Sequence, residues 1–581
     1  MIIITVYSKK GLEICLKFKN KMKIIIIGGL SAGPSAAAKA RREDENAEII
    51  LFEKGSNISY ATCGMPYAFS GIIENREDLI VVKPDLLKNR FNIDVKLNEE
   101  ILNIDTSNKI VYSNKGDYTY DKLIMATGAS SIVPPIKNIN IATNWSTCRS
   151  MPDFDKIMEE GLATNSKNIT IIGGGLIGIE VAENLKLAGK NVTLIEGAKE
   201  VLSMWQSKFG VIAEKILIDN GINIITSSIV SEFDLNENGK IKNVIIKGKE
   251  PIETDFVIVS AGIKPNTDLL LNRGAKHIKN GALIVNEYLE TSIKDVYAAG
   301  DNVAIKNLQT NEYGYFPLGT HSNKAGRAAG ANAVGSETIF KGAYNTAIVQ
   351  VFDYTFARTG MNAKFLKQQN IPFKKVLTIV GATPGYYPNK KEIVSEIYFN
   401  PTTKEIYGAE VVGEVGVDKR IDVLSTAIYA KLKISDLAQL DLAYAPPYSP
   451  AKDSLVVASF VSENIVNEKC PQVSVEDLDV FMNETDPSNY LLIDIRTQKE
   501  YEAGTLANAI NIPIDEIRSQ INFIKNEEKP VILICRSGLR AYIAQLILVQ
   551  NNIKEVANVA GGIKLWQLYN KTVIKPKEMF A

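Results

Sequence analysis

The sequence predicts an α/β protein built around a repeated unit of strand, glycine turn and helix. The first copy is "KIIIIGGLSAGPSAAAKARR" (23–42), where a β-branched run ends in two glycines and a small-residue helix follows. The second copy is "NITIIGGGLIGIEVAENLKLAGKNVTLIE" (168–196). In both copies the next strand ends in a glutamate, Glu53 or Glu196. This pattern is typical of Rossmann-like dinucleotide-binding domains, and it predicts two of them.

Length and charge narrow the class of protein. At 581 residues the chain is too long for one hydrophobic core, so we expect about three to five domains. Lys+Arg and Asp+Glu are balanced at 66 each, which argues against nucleic acid or an anionic membrane as the main partner. No apolar run approaches the ~20 residues of a membrane helix, so we expect no membrane insertion.

Cysteine and histidine usage narrows the chemistry. The five cysteines are scattered and form no CxxC, which indicates a reducing compartment, and we expect the protein to be cytoplasmic. The chain has only two histidines, His277 and His321, so we expect no metal site and no histidine-based triad. Residues 1–21 lack the features of a signal peptide and are expected to be an N-terminal extension in which Cys15 is inert.

The first glycine turn departs from the dinucleotide fingerprint at one position. Gly28 and Gly33 hold the first and third glycine positions, whereas Leu30 replaces the second. The small residues that follow let the helix lie close to the sheet with its N-terminal amides facing a pyrophosphate. Glu53 is expected to accept a hydrogen bond from a ribose hydroxyl.

The second turn matches the fingerprint completely. Gly173, Gly175 and Gly178 follow the G-x-G-x-x-G order between a strand and a helix. Glu196 closes the next strand and is placed to bind a ribose 2′-hydroxyl, which favours NADH, although NADPH stays possible because Lys199 is near.

Two connectors, "LIMATGAS" (123–130) and "TSIKDVYAAGDNVA" (291–304), complete a family pattern. With the two turns, they make residues 22–460 resemble the two-dinucleotide flavoprotein disulfide reductases. The resemblance implies an FAD-binding domain at 22–145 and 266–340 and an NADH-binding domain at 146–265. It also implies FAD contacts from the residues of the two connector turns, namely Ala126, Thr127, Gly128, Gly300 and Asp301.

The C-terminal third of the chain is predicted to contain two more domains. Residues 341–462 alternate strands and helices and resemble the family's α+β dimerisation domain, which implies a homodimer. The polar segment "NEKCPQVSVEDLDVFMNETDPSNY" is expected to link this domain to a further α/β unit, and 463–581 are assigned to linker plus that unit. The stretches "YLLIDIRTQKEYEAGTLANAINIP" and "KPVILICRSGLRAYIAQ" resemble a rhodanese domain.

The rhodanese-like unit carries its own candidate nucleophile. Cys535 starts a loop that ends at a helix N-terminus, and loop amides together with Arg536 and Arg540 are expected to hold a thiolate or persulfide anion. The spacing is Cys-x4-Arg, which is the sulfur-transfer length, whereas the similar phosphatase loop needs one more residue. Thr505 stands where rhodaneses usually have histidine, outside the loop.

Cys63, in "SYATCGMPY" (59–67), is the candidate redox thiol. Disulfide reductases of this family use C-x4-C, but here the matching second position is Ala68, so a substrate must supply the second sulfur or an oxygen. The stretch resembles "SFANCGLPY" of the coenzyme A-disulfide reductases, with Thr62 replacing Asn. Oxygen- and peroxide-reducing relatives carry histidine in the first glycine turn, where this chain has Ser31.

The resemblance implies further site residues. Tyrosines from the partner subunit donate protons in this family, and by motif they fall on Tyr386 and Tyr444; their neighbours Tyr387 and Tyr448, or simple interface packing, stay open as alternatives. Contacts with coenzyme A are expected from two basic residues on the first helix and two residues before the cysteine. These are Lys39, Arg42, Ser59 and Tyr60. A solvated helix face is the alternative for the basic pair.

The sequence therefore predicts an FAD-dependent enzyme that uses NAD(P)H to reduce coenzyme A disulfide, or its persulfide or polysulfide, through Cys63, with the rhodanese unit relaying sulfur. One alternative is an NADH oxidase that reduces oxygen. Another is a redox or sulfur sensor in which the rhodanese unit is a docking module.

Overall fold

The computed structural model describes residues 21–468, 470–569 and 571–576; the N-terminal extension with Cys15 therefore lies outside the described residues, apart from Lys21. The first segment forms eight strands and three helices. The strands are β1 (Lys23–Ile27), β2 (Glu48–Glu53), β3 (Asp94–Leu97), β4 (Ile101–Asp105), β5 (Ile110–Ser113), β6 (Asp117–Thr119), β7 (Lys122–Met125) and β8 (Ala129–Ser131). The helices are α1 (Ala32–Glu43), α2 (Met65–Phe69) and α3 (Pro84–Phe91).

The second segment repeats this plan. Its strands are β9 (Trp145–Thr147), β10 (Asn168–Ile172), β11 (Asn191–Ile195), β12 (Asn223–Ile225), β13 (Val230–Leu235), β14 (Ile241–Ile246), β15 (Ile252–Glu253), β16 (Phe256–Val259) and β17 (Ile263–Pro265). Its helices are α4 (Met151–Lys156), α5 (Leu176–Leu187) and α6 (Ser207–Asp219). The chain then returns to the first domain through α7 (Asp268–Leu271), β18 (Leu283–Ile284), β19 (Val296–Ala298), β20 (Val303–Lys306), β21 (Tyr313–Gly314) and α8 (Gly319–Ala333).

The internal repeat extends to the sheet order. The first parallel sheet runs β19-β7-β1-β2-β3 and the second runs β12-β11-β10-β16-β9. β1, β2, β3 and β7 therefore correspond to β10, β11, β12 and β16, and each copy inserts a three-stranded antiparallel sheet before its fourth strand. Both glycine turns consequently follow the central strand, where a dinucleotide reaches the carboxyl edge of the sheet.

Helix α1 packs against α8 at unusually short range. A Cβ added to Gly326 or Gly330 would lie 2.3 or 2.1 Å from the carbonyl oxygen of Ala32 or Ala36. These two glycines, one helical turn apart, let the backbones touch. The contact ties the second part of the FAD-binding fold to the helix that follows the first glycine turn.

The dimerisation domain is an antiparallel sheet of order β22-β23-β26-β25-β24 with three helices. Its elements are β22 (Ala347–Val351), β23 (Tyr354–Gly360), α9 (Ala363–Gln368), β24 (Lys374–Gly381), β25 (Glu392–Phe399), β26 (Ile406–Gly413), α10 (Val417–Tyr429) and α11 (Ser454–Val466).

The C-terminal unit is a parallel sheet of order β27-β31-β30-β28-β29 with helices on it. Its elements are β27 (Gln472–Val473), α12 (Val475–Glu484), β28 (Leu491–Asp494), α13 (Gln498–Glu502), β29 (Ile510–Asn511), α14 (Ile521–Asn526), β30 (Val531–Ile534), α15 (Leu539–Gln550), β31 (Val556–Val559) and α16 (Gly562–Leu568). Most of the segment expected to be a polar link belongs to this unit as β27 and α12. The four-part α/β architecture expected from the sequence is confirmed.

None of the helices in the described part of the chain combines the length and apolar character needed to cross a membrane. Within those same residues, no three His, Cys, Asp or Glu side chains are grouped so that they could hold a metal ion.

Candidate active site

The first glycine turn forms a cradle that side chains would fill. Gly28 has a φ of +113°, and a Cβ there would lie 2.1 Å from the Ala126 carbonyl oxygen. A Cβ on Gly33 would lie 1.8 Å from the Gly28 carbonyl oxygen. The Glu53 carboxylate accepts hydrogen bonds from the backbone N–H groups of Gly29 (2.8 Å) and Gly55 (2.7 Å). The turn is thus locked against the strand end where a ribose would bind.

The second turn has the same construction. The Glu196 carboxylate accepts from Gly174 N (2.5 Å) and Ala198 N (2.7 Å). A Cβ on Gly173 would lie 2.5 Å from the Ser260 carbonyl oxygen, and one on Gly178 would lie 1.9 Å from that of Gly173. Each predicted acid therefore braces its own glycine turn.

Both turns open into one cavity of about 1300 Å³. Its wall holds Ser31 of the first turn and Gly175 and Glu196 of the second, together with Cys63. The Ser31 hydroxyl is buried and has no hydrogen-bond partner among the residues that the structure describes, as expected where a polar ligand belongs. The glycine cradle and this free hydroxyl fit the FAD that the sequence predicts for the first turn.

The returning connector places Asp301 at the same cavity. Gly300 has a φ of +97°, and the Asp301 carboxylate accepts from Ser322 Oγ (2.9 Å) and from Arg149 Nη2 (2.7 Å). Arg149, which the sequence did not single out, also donates from Nε to the Ala129 carbonyl oxygen at 2.8 Å. This arginine joins the start of the second domain to the flavin side of the first.

The connector at residues 123–130 lies beside the first glycine turn. Gly128 has a φ of +64°, and the Thr127 hydroxyl donates to the Asn266 carbonyl oxygen at 2.5 Å. The Ala126 N–H donates to the Ile27 carbonyl oxygen at 2.8 Å, which continues the pairing of β1 with β7. These three residues shape the edge of the sheet beside the first turn.

The cysteine segment is anchored at its start and exposes its thiol. Ser59, at the left-handed φ of +45°, donates from Oγ to the Leu30 carbonyl oxygen (3.2 Å) and from its amide to that of Gly29 (2.9 Å). Cys63 then lies in a one-turn 3₁₀ helix before α2, which has Pro66 in its first turn. Of the four cysteines in the described residues, Cys63 alone is exposed.

A half-buried acid lines the same cavity as the thiol and is paired with a phenol. Glu180, on α5 and lining the cavity, accepts from the Tyr67 hydroxyl at 3.3 Å. Burial raises the pKa of Glu180 to about 7, and Glu183 adds to the effect, whereas the bond from Tyr67 opposes it. Burial, followed by the charge of Glu180, raises the pKa of Tyr67. The sequence analysis did not identify the contact between Glu180 and Tyr67. The stretch "GIEVAE" (178–183) does place Glu180 and Glu183 directly after the second glycine turn.

Three of the four residues predicted to contact coenzyme A line the cavity, and one does not. Arg42, Ser59 and Tyr60 line the cavity, and burial raises the pKa of Tyr60 to about 12. Lys39 instead pairs with Glu43 one turn along α1. Arg327 on α8 lines the same cavity and was missed, because its helix arrives from almost 300 residues further along the chain.

The predicted proton donors lie together on the dimerisation domain. The Tyr386 and Tyr444 hydroxyls are 3.4 Å apart, and the two residues are 74% and 51% exposed. This hydrogen bond raises the pKa of Tyr386. Tyr448 is also exposed, at 72%. None of the three lines the cavity of its own protomer.

The rhodanese loop surrounds Cys535 with backbone groups. Cys535 is buried, and its Sγ accepts from Gly538 N at 3.1 Å. Arg540 binds Glu500 through two 2.7 Å bonds, which hold the pKa of Glu500 at about 2. Arg536 reaches away to Glu392 of the dimerisation domain, 2.7 Å from Nη1 to Oε1. Thr505 is fully buried and donates to an aspartate behind the loop.

Comparison with known proteins supports this organisation. Residues 22–320 match the model for pyridine nucleotide-disulphide oxidoreductases, 346–455 match the model of that family's dimerisation domain, and 474–569 match the rhodanese-like domain. The crystal structure of reduced Bacillus anthracis CoADR-RHD superposes with a TM-score of 0.90 at 34% identity, covering 95% of this chain and 99% of that one.

Two relatives are similar in sequence to about three quarters of the chain. The NAD(P)H coenzyme A polysulfide/persulfide reductase of Pyrococcus horikoshii is 32% identical over 445 residues, which are 76% of this chain and 98% of that protein. An NADH oxidase of Enterococcus faecalis is 30% identical over 433 residues, 74% of this chain and 96% of that protein. The chain therefore belongs to the pyridine nucleotide-disulphide oxidoreductase family and carries a C-terminal rhodanese-like domain.

Proposed function

We propose that this protein uses NAD(P)H to reduce the disulfide or persulfide of coenzyme A through Cys63. The observation that supports this proposal most strongly is that the exposed thiol of Cys63 lies in the cavity that both glycine turns share. Cys148 also lines that cavity, but burial raises its pKa to about 12 and keeps it a neutral thiol. The thiolate is the nucleophile in sulfur exchange, so Cys63 reacts alone.

The sulfur chemistry balances with one protein thiol. The Cys63 thiolate attacks one sulfur of a coenzyme A disulfide, forming a mixed disulfide and releasing one coenzyme A thiolate, which takes up a proton. With a persulfide, attack on the sulfur that carries coenzyme A forms the same mixed disulfide and releases hydrosulfide. Two electrons from NAD(P)H then convert the mixed disulfide into the Cys63 thiolate and a coenzyme A thiolate, which is the second one released from the disulfide and the only one released from the persulfide.

FAD bound at the first turn supplies the two-electron redox centre between the nicotinamide and the sulfur. The chain's own residues position these parts. Gly28, Gly33 and Glu53 hold the first turn, and Glu196 braces the second. We propose that NADH is preferred to NADPH, because the Glu196 carboxylate repels a 2′-phosphate.

The cavity composition supports coenzyme A as the substrate. Arg42 and Arg327 offer cations for phosphate groups, and an apolar wall offers contact for a pantetheine arm. That wall includes Val81, Leu86 and Phe91. The Ser59 anchor fixes the segment between this wall and Cys63.

The proton donors imply a second subunit. Tyr386 and Tyr444 are exposed, do not line the cavity of their own protomer, and lie on a domain of the dimerising type. We propose a homodimer, working in a reducing cytoplasm, in which the tyrosines of each protomer reach the Cys63 site of the other. A phenol can hydrogen-bond a leaving thiolate and return a proton to it.

Anaerobic turnover of NADH with coenzyme A disulfide and with coenzyme A persulfide tests the proposal. Cys63→Ser is expected to keep FAD and NADH binding but to lose both activities, whereas the matched variant Cys148→Ala keeps them. Normal turnover in Cys63→Ser would contradict the proposal.

The similarity to an NADH oxidase makes oxygen the control acceptor. The first turn carries Ser31, while His277 is exposed and His321 bonds the Phe316 carbonyl oxygen at 3.1 Å through Nδ1. We therefore expect the rate of NADH oxidation by oxygen to be lower than the rate of NADH oxidation by the coenzyme A substrates. Faster turnover with oxygen than with either coenzyme A substrate would favour the oxidase.

A further inference from the structure

One carboxylate on the dimerisation domain holds two cations of the rhodanese-like domain. Glu392 begins β25 and accepts from Arg536 Nη1 at 2.7 Å and Nη2 at 3.2 Å. Lys564 Nζ pairs with the same carboxylate. The Glu392 side chain is only 20% exposed, so these pairs are partly shielded from water. We name Glu392, Arg536 and Lys564 the docking triad.

Both cations are tied rigidly to the loop of Cys535. Arg536 is the next residue, and its carbonyl oxygen accepts from Lys564 N at 3.0 Å. The Cys535 carbonyl oxygen accepts from Ile563 N at 2.9 Å, and a Cβ on Gly562 would lie 2.2 Å from that oxygen. A carboxylate that holds Arg536 and Lys564 therefore fixes the position of the whole Cys535 loop.

The carboxylate directly follows a segment that carries one of the candidate proton donors. Glu392 begins β25, and the segment between β24 and β25 contains Tyr386, whose hydroxyl lies 3.4 Å from that of Tyr444. Beneath the triad, apolar side chains of both domains form one cluster. They are Leu377, Ile379 and Val394 from the dimerisation sheet and Ala560, Ile563 and Leu565 from the rhodanese-like domain. An apolar bed supplies contact area, and the ion pairs select one orientation on it.

We propose that Glu392 is a positioning residue that docks the Cys535 loop beside the tyrosine segment, so that sulfur carried on Cys535 is delivered to the reductase site. The inference rests on the proposed function. In the delivery step a coenzyme A thiolate attacks the outer sulfur of Cys535–S–SH. This produces coenzyme A persulfide and the Cys535 thiolate with no net change of oxidation state. Only the later step at Cys63 consumes NAD(P)H.

Docking raises the coupled rate because it shortens the path between two sites on one assembly. The connection itself is short, since α11 ends at Val466 and β27 starts at Gln472. A short tether keeps the local concentration of the loaded loop high, and the triad then selects the productive orientation. Without the triad, the apolar contact and the pair between Lys208 and Glu476 remain, but the Cys535 loop loses its own ionic contact with the dimerisation domain.

The test compares Glu392→Gln with Glu414→Gln. Glu414 follows β26, whose last residue Gly413 pairs with Ile393, and it forms an ion pair with Lys391 inside the dimerisation domain. The two variants therefore lose the same charge from neighbouring ends of two paired strands, but only the first removes a member of the docking triad. Lys564→Gln is the second variant, from the other side of the contact.

Three rates are measured on each full-length variant. They are NADH-dependent reduction of coenzyme A disulfide, sulfur transfer from thiosulfate to cyanide, and NADH-dependent sulfide release from thiosulfate with catalytic coenzyme A as the sole thiol. We expect Glu392→Gln to lower the coupled rate about tenfold while the two separate rates stay normal, and Lys564→Gln to lower it less. Because salt screens ion pairs, 0.5 M salt should lower the coupled wild-type rate and leave that of Glu392→Gln nearly unchanged.

A wild-type coupled rate in Glu392→Gln, or equal losses in Glu414→Gln, would overturn the proposal. Hydrogen exchange of residues 535–540 reports docking without any turnover, and we expect faster exchange in Glu392→Gln alone. Unchanged exchange would likewise refute the docking role. If wild-type protein failed to reduce any coenzyme A substrate, the proposed function would fail, and the exchange result would still judge the triad.

Discussion

Gly175 separates what the second glycine turn needs for folding from what it needs for binding. A Cβ on Gly178 would lie 1.9 Å from the Gly173 carbonyl oxygen, whereas a Cβ on Gly175 has no atom within 4 Å. Gly175 has a φ of −78°, which alanine adopts without strain. Packing within the folded protein therefore does not require glycine at this position. A bound pyrophosphate that approaches the backbone closely would require it, because a side chain would stand in its way.

Gly175→Ala should consequently leave stability unchanged and impair nucleotide binding. A methyl group that holds the pyrophosphate away from the turn removes one or two charge-assisted hydrogen bonds, each about 1.5–3 kcal/mol. We expect the KM for NADH to rise at least about tenfold. By contrast, Gly178→Ala should lower the free energy of unfolding by about 2 kcal/mol or more, because backbone atoms must move.

The assay combines steady-state kinetics with thermal unfolding of the FAD-loaded protein. In Gly175→Ala the midpoint of unfolding and the KM for coenzyme A disulfide serve as internal controls and should match wild type. An unchanged KM for NADH would show that the nucleotide does not pass over Gly175. A large loss of stability in this variant would show that the turn is packed differently.

Three further outcomes are expected. Glu196→Gln removes a charge that repels a 2′-phosphate, so kcat/KM for NADPH relative to NADH should rise about tenfold; an unchanged ratio would place selectivity elsewhere. The folded-state pKa of Glu180, about 7, lies above the ordinary value of 4.5 for a glutamate, so the folded protein holds this proton more tightly and its stability falls as pH rises between those values. Relative to wild type, Glu180→Gln should therefore gain about 2 kcal/mol between pH 5.5 and pH 8, and parallel pH profiles of unfolding would contradict the raised pKa. Cys535→Ala should abolish thiosulfate-to-cyanide transfer and coupled sulfide release but leave reduction of coenzyme A disulfide unchanged, and retained coupled release would exclude the relay.

The sequence was sufficient to predict local structure that depends on neighbouring residues. Both glycine turns and the Cys63 segment could be predicted because each lies within a short stretch of fixed spacing. The role of α12 was harder to see, since "VEDLDVFMNE" is rich in acids. Ser474 caps that helix by accepting from Asp477 N at 3.1 Å. Its apolar residues recur at helical spacing, a signal that polar composition obscured.

Contacts between distant segments could not be predicted in this way. Arg149 pairs with Asp301 across 152 residues, and Arg536 pairs with Glu392 across 144. Arg536 was expected to hold a sulfur anion because it follows Cys535, but its side chain is long enough to reach another domain. A sequence shows which residues are charged and which residues are adjacent to them. It does not show which distant residue will form an ion pair with them, because that depends on how the domains pack.

A single reactive thiol makes substrate binding part of the redox step. With two cysteines, the first product leaves before electrons are needed, because the protein stores the oxidised state as its own disulfide. With Cys63 alone, the oxidised state is a mixed disulfide that still contains the substrate. The cavity residues that we propose to hold coenzyme A, among them Arg42 and Arg327, would therefore keep it bound until the electrons arrive. Once the mixed disulfide is reduced, coenzyme A again has a free thiolate, and under our proposal this thiolate then collects the next sulfur from Cys535.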